Sequence, residues 1–190
     1  MGQPFPSKDL RQFATTENVR KILNRMVKAG ELKRATRGIF IKPQFSENLG
    51  ELTPSTEEVV KTLLKSTGET IAVHGAEAAR KLQLSTQVPV RLIFHTSGNT
   101  RTLKIGNQTV KLKHVNPSRI IAPGTIPGLV ISALYYLERG NVTTKTIEKI
   151  KNLLPPEEFD GILDYIQNMP AWMADIFYRY QKVKKGKYYE

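Results

Sequence analysis

Asn18, Arg20, Lys21, Asn24, Arg25 and Lys28 are six side chains able to donate hydrogen bonds to phosphate oxygens or base edges, and no carboxylate follows Glu17 within that stretch. Thr16 stands at its head, and Lys33, Arg34, Arg37 and Lys42 come soon after. The chemistry this composition serves is the binding of an anionic polymer rather than bond making. Residues 1–43 hold ten Lys and Arg against three Asp and Glu, net +7 of a whole-chain charge of +12. Charge concentrated in this way favours a nucleic acid through counterion release, although an anionic membrane surface would also attract it.

The elements that must position these side chains are legible in the same stretch. Thr15 or Thr16 can cap a helix, and Val19, Ile22, Leu23, Met26 and Val27 follow at the spacing that lines one face of it, so that face is expected to be buried. Gly30 is placed to end the helix in a left-handed conformation. Leu32 to Thr36 and Gly38 to Lys42 then read as a two-stranded hairpin with Arg37-Gly38 at its tip, Ile39 and Ile41 on one side and Phe40 and Lys42 on the other. Ser7 to Phe13 reads as a short capped helix that packs in front of the longer one, giving a helix-turn-helix with a basic wing. Such a domain normally has one more helix. Either the numbering begins late in a longer protein, or a helix from the C-terminal half or a second subunit covers Val19, Leu23 and Val27. Arg25, near the edge of the apolar face, can equally be an ion-pair partner, and the Glu31-x-Lys33 fragment of a metal-nuclease signature carries little weight alone.

A chain of 190 residues fits one large or two small domains. The polar connector from Pro43 to Thr53 is taken as the boundary, giving a winged-helix domain over 1–45 and a second domain over 50–190. There, Ser55-x-x-Glu58 is a possible capping box for a helix with Val59, Val60, Leu63 and Leu64 inward. Thr70–Val73 and Val88–His95 read as strands, Gly75–Leu82 as a small-residue helix that lets backbones approach, and Arg101–Ile105 with Thr109–Lys113 as a hairpin around Gly106-Asn107. Helices are expected over Leu129–Arg139, Thr144–Leu154, Glu157–Asn168 and from Pro170 on, with Trp172 in the core. The basic tail, with Lys182, Lys184, Lys185 and Lys187, is expected to be disordered and to add nonspecific phosphate contacts. The fold class is α+β: a small winged helix-turn-helix, then an α/β domain with a small mixed sheet and a C-terminal helical bundle.

Other function classes are disfavoured. With no Cys there is neither disulfide framework nor thiolate chemistry. His74, His95 and His114 are 21 and 19 residues apart, a spacing that fits no metal motif, and a core or surface role is expected for each. Ser85-Thr86 has no base beside it and reads as turn chemistry. The expectation is no enzyme, no metal and no cofactor. The N-terminus lacks a secretory pattern, and the uncharged run Ile120–Leu137 is broken by Pro123, Gly124, Pro127 and Gly128, so a cytoplasmic protein without membrane contact is expected.

Two phrases carry a family resemblance. Gly75, Ala76, Ala78, Ala79, Leu84, Ser85, Thr86, Gln87, Val88, Pro89, Arg101 and Gly106 resemble the α/β domain of the AbiEi-type antitoxins. Val19, Leu23, Arg25, Gly30, Glu31, Leu32, Arg34, Arg37, Gly38 and Pro43 resemble the winged helix of the same family. The resemblance spans about Lys8 to Lys113, and it departs at Gln83, where a glycine is expected before the Leu-Ser-Thr-Gln phrase. It implies a transcriptional autorepressor that binds repeats in its own promoter and counters a nucleotidyltransferase-class toxin in a type IV toxin-antitoxin system, without need of direct toxin contact. From the residues alone come double-stranded DNA as partner and a possible homodimer, with no identifiable dimer interface. The alternatives are an RNA- or protein-binding winged-helix module and, further off, a nucleic-acid-processing enzyme.

Overall fold

The computed structural model describes residues 2–48, 50–88 and 91–186. In chain order the strands are β1 (Phe5–Pro6), β2 (Lys33–Thr36), β3 (Ile39–Ile41), β4 (Gln44–Ser46), β5 (Gly50–Leu52), β6 (Ile71–Val73), β7 (Leu92–Thr96), β8 (Arg101–Ile105) and β9 (Gln108–His114). The α-helices are α1 (Thr16–Lys28), α2 (Thr56–Thr67), α3 (Gly75–Lys81), α4 (Ile126–Leu137), α5 (Thr144–Leu153), α6 (Pro156–Asp160) and α7 (Ala171–Gly186). The protein is α+β and consists of two compact units, one of Met1–Glu69 with Arg101–Lys111, the other of Thr70–Thr100 with Leu112–Glu190.

In the first unit a 3-10 helix over Ser7–Gln12 precedes α1; its N-cap is Pro6 and no side chain caps it, so the expected capped helix is a tighter, uncapped turn. Thr15, not Thr16, caps α1, its hydroxyl accepting from the Asn18 N–H at 3.4 Å. Gly30, at φ +76°, takes the left-handed position just beyond the helix. Strands β1, β3 and β2 form a three-stranded sheet in that order, all pairs antiparallel, with Lys33 opposite Ile41 and Arg34 opposite Phe40. Phe40 packs with Val19, Leu23 and Leu32 beside Phe5 and Leu10, and the Phe5 and Phe40 rings stack at 6.2 Å. That cluster is what covers Val19 and Leu23. Ile39 and Ile41, alternating with Phe40 and also buried, belong to the other face of the sheet, where α2 packs on β1 and β3 with Val59, Val60 and Leu64 inward.

Two expectations change here. Ile22 is 43 % exposed, so the buried stripe of α1 is narrower than the periodicity implies and rests on Val19 and Leu23. The stretch read as a connector folds as the β4/β5 hairpin, Gln44 opposite Leu52, so the boundary placed there lies inside the first unit. Helix α2, capped by the Ser55–Glu58 box as expected, belongs to that unit as well, and so does the β8/β9 hairpin up to Lys111. Arg101 explains the return of the chain: its guanidinium makes two hydrogen bonds to the Glu69 carboxylate, at 2.9 and 2.7 Å, with both side chains largely sheltered.

In the second unit β6 pairs antiparallel with β7, Ala72 opposite His95, and β7 lies beside the end of β9. Helix α3 packs closely on α4. A Cβ at Gly75 would come within 2.5 Å of the Tyr136 Cβ and 2.6 Å of the Ser132 carbonyl oxygen, so only glycine permits this approach. Helices α4 to α7 enclose Ile131, Leu134, Ile147, Ile150, Phe159, Ile162, Met173 and Phe177, and Trp172 packs half-buried against them. The expected helix over Glu157–Asn168 is divided at Gly161 into α6 and a 3-10 helix over Leu163–Asn168. Helix α7 continues through Lys182 to Gly186, so this part of the tail is ordered; the side chains of Lys184 and Lys185, and Lys187, lie outside the described residues, as does Pro89. Among the described residues no helix is long and apolar enough to cross a membrane.

Candidate nucleic-acid interface

The basic side chains of α1 and of the β2/β3 hairpin divide by what already holds them. Thr16, Asn18, Arg20, Lys21, Arg25 and Lys28 are exposed on α1, and Asn24 is half-buried. Arg20 forks onto Glu17, donating through Nε at 3.2 Å and Nη2 at 2.9 Å, while Lys21 lies 3.9 Å from the same carboxylate. The hydrogen bonds from Arg20 and its charge hold the Glu17 carboxyl below the usual carboxylate range and raise the Arg20 guanidinium in turn. Arg20 is thus committed along the helix surface. Among the described residues Arg25, Lys28 and Arg37 form no ion pair, so the structural role open to Arg25 is not the one it takes.

The hairpin is tied to the helix by one side chain. Arg34 donates through Nη2 to the Asn24 Oδ1 at 2.6 Å, and its guanidinium lies 5.3 Å from the centre of the Phe40 ring. Asn24 therefore orients the wing from the helix surface. Lys33 turns back to the Glu51 carboxylate of β5. Asn18, Lys21, Arg25, Lys28 and Arg37 are the members of the expected set whose donors are least engaged by the protein itself.

The residues of the second phrase take up structural duties. Gly75 lets α3 meet α4. Ser85 Oγ accepts from the Gln87 N–H at 3.2 Å, the turn chemistry expected of it, and Thr86 is exposed. Gln87 Oε1 accepts from the Tyr136 hydroxyl at 3.3 Å, linking the turn to α4. Arg101 is bound to Glu69. Gln83, where the resemblance leads to the expectation of a glycine, sits at φ +54°, in the left-handed region that favours glycine.

Sequence reasoning missed a cavity of about 470 Å³ in the second unit, lined by His74, His95 and His114 together with Lys113, Arg119 and Tyr136. The His74 and His95 rings meet edge to face at 4.9 Å. Burial lowers the pKa of both; nearby Lys113 adds to this at His74, while His74, Lys113 and Arg119 help push His95 down to about 4. The signal that could have found the cavity is the placement of each histidine at or beside the end of a strand, which only the strand pairing converts into proximity. The described residues contain no group of three or more His, Cys, Asp or Glu suited to a metal ion.

One family model matches the chain, over residues 2–162, and its description is a family of unknown function (DUF6088). The match takes in residues of both units. No curated protein and no solved structure matches the chain.

Proposed function

The chain belongs to this DUF6088 family, and we propose that its first unit is a winged helix-turn-helix that binds double-stranded DNA, with α1 in the major groove and the β2/β3 hairpin as the wing. The observation that carries the reading is the Arg34–Asn24 hydrogen bond, which fixes a basic hairpin against a basic helix. Asn18 and Lys21, in the first half of α1, read base edges; Arg25, Lys28 and Arg37 hold phosphates. Arg20, engaged by Glu17, serves the phosphate set only by exchanging that partner.

The wider role proposed is a transcriptional autorepressor and antitoxin of the type IV class, opposing a nucleotidyltransferase-like toxin and bound to repeats in its own promoter as a homodimer. Support for this part is the similarity of the residue 8–113 phrases to the AbiEi-type antitoxins. A second reading, a module that docks RNA or another protein, draws on the exposure of Phe13 at 78 % and Ile22 at 43 % near the basic face.

The test is a fluorescence-anisotropy titration against the DNA upstream of the protein's own reading frame, a scrambled duplex and a structured RNA, at two salt concentrations. Preference for the upstream duplex, with an affinity that falls steeply with salt, is the expected result. Equal binding to both duplexes, or preference for the RNA, overturns it.

A further inference from the structure

The chemistry of the second-unit cavity is set by two cations that no carboxylate neutralises. Among the described residues neither Lys113 nor Arg119 forms an ion pair, and Glu138 is the sole carboxylate among the lining residues. Arg119 is instead held by Tyr135, its guanidinium 4.7 Å from the centre of the ring and hydrogen-bonded to the Tyr135 side chain. An arginine held in this way is oriented in advance while its remaining hydrogen-bond donors stay available to an anion. The cavity, about 470 Å³, has the size of pockets that enclose small organic ligands, ~300–1,000 Å³, and is far roomier than a bare inorganic anion requires. Tyr136 and His74, 6.3 Å apart centre to centre, bring flat rings to the same wall.

Two further observations mark the place. His74 Nδ1 accepts from the Ala76 N–H at 3.3 Å, and His114 Nδ1 donates to the Gly98 carbonyl oxygen at 2.8 Å, so both rings are oriented by the backbone. Glu138, one of the lining residues, has φ +66° and ψ 158°, a strained conformation for a residue with a Cβ.

We propose that this cavity is a binding site for a small phosphorylated ligand with a flat ring, of the mononucleotide class, its phosphate held by Lys113 and Arg119 and its ring seated against Tyr136 and His74. The inference is independent of DNA binding by the first unit. A phosphate there faces His74, His95 and His114 as well as the two cations, with Glu138 and the Tyr135 and Tyr136 hydroxyls as the other titratable groups on the wall. Its charge offsets the field of Lys113 and Arg119, so ligand saturation should move the His95 titration midpoint upward from about 4.

The experiment is calorimetric titration of the full chain with AMP, GMP, CMP and UMP, and with ribose 5-phosphate and inorganic phosphate for comparison. NMR of the histidine Hε1 signals follows His95 through the same titrations. At least one mononucleotide should bind saturably, more tightly than ribose 5-phosphate or phosphate, and raise the His95 midpoint. Lys113→Gln and Arg119→Gln should each weaken that binding by about tenfold or more, whereas Lys145→Gln, exposed on α5, leaves it unchanged. Far-UV circular dichroism confirms that each variant is folded. No saturable binding, binding indifferent to the Lys113 and Arg119 changes, or equal affinity for ribose 5-phosphate overturns the proposal.

Discussion

Lys21 and Arg37 have different tasks in the proposed complex, and substitution separates them. Lys21→Ala should relax the preference for the upstream duplex over a scrambled one. Arg37→Ala should weaken binding to both about equally and flatten the salt slope by about 1 unit, as loss of one phosphate contact does. Anisotropy titrations of the two variants at several salt concentrations check the division, and matching losses of specificity would refute it. At Gln83 the prediction concerns stability. A left-handed φ of +54° strains any residue with a Cβ by ~1 kcal/mol, so Gln83→Gly should stabilise the fold by about that much in urea titrations. At His95 the prediction concerns pH. The unfolded chain takes up the proton as pH falls through 6.5, while the folded protein resists it until about 4. Stability from this residue is therefore full above about pH 6.5 and is lost as pH falls from there towards 4. Urea unfolding at pH 7 and pH 5 should show a larger loss for the unaltered protein than for His95→Gln.

At the scale of elements, the hairpin's position on α1 depends on Arg34, which joins Asn24 and the Phe40 ring. A double-mutant cycle over Asn24→Ala and Arg34→Ala should give a coupling of about 0.5–1 kcal/mol in urea unfolding, and additivity would show that the wing is held otherwise. Much of this level was legible in the sequence because the signals are local. Thr15, the apolar series from Val19, and Gly30 delimit α1, and Ser55 with Glu58 delimits α2. Ile22 was misjudged because periodicity gives a face but not the width of what covers it, and here the cover is the Phe40 cluster rather than a broad helix. The β4/β5 hairpin was missed because three-residue strands in a polar stretch resemble a linker. The cavity was invisible for another reason. His74 and His95 are neighbours through the β6/β7 register, with Ala72 opposite His95, and nothing within either segment announces the pairing.

For the whole molecule, the first unit needs more of the chain than its basic segment. Ile39 and Ile41 lie on the sheet face that receives α2, so a chain cut after residue 50 leaves that face bare. Such a fragment should show no cooperative thermal transition by circular dichroism, in contrast to the full chain; a cooperative melt would mean that α2 is dispensable. A sequence-based boundary at the polar connector could not reveal this, because composition reports local polarity whereas the unit is defined by contacts to residues as distant as Arg101, which reaches Glu69.

That discontinuity has a consequence for synthesis. Residues 1–69 emerge first, but the part of the β8/β9 hairpin that completes their unit runs to Lys111, 42 positions later than Glu69. At ~5–20 residues per second the ribosome takes roughly 2–8 s to supply it. For the first 32 of those positions, up to Arg101, the nascent protein has its basic helix and wing already synthesised while Glu69 waits for an arginine that has not yet been made.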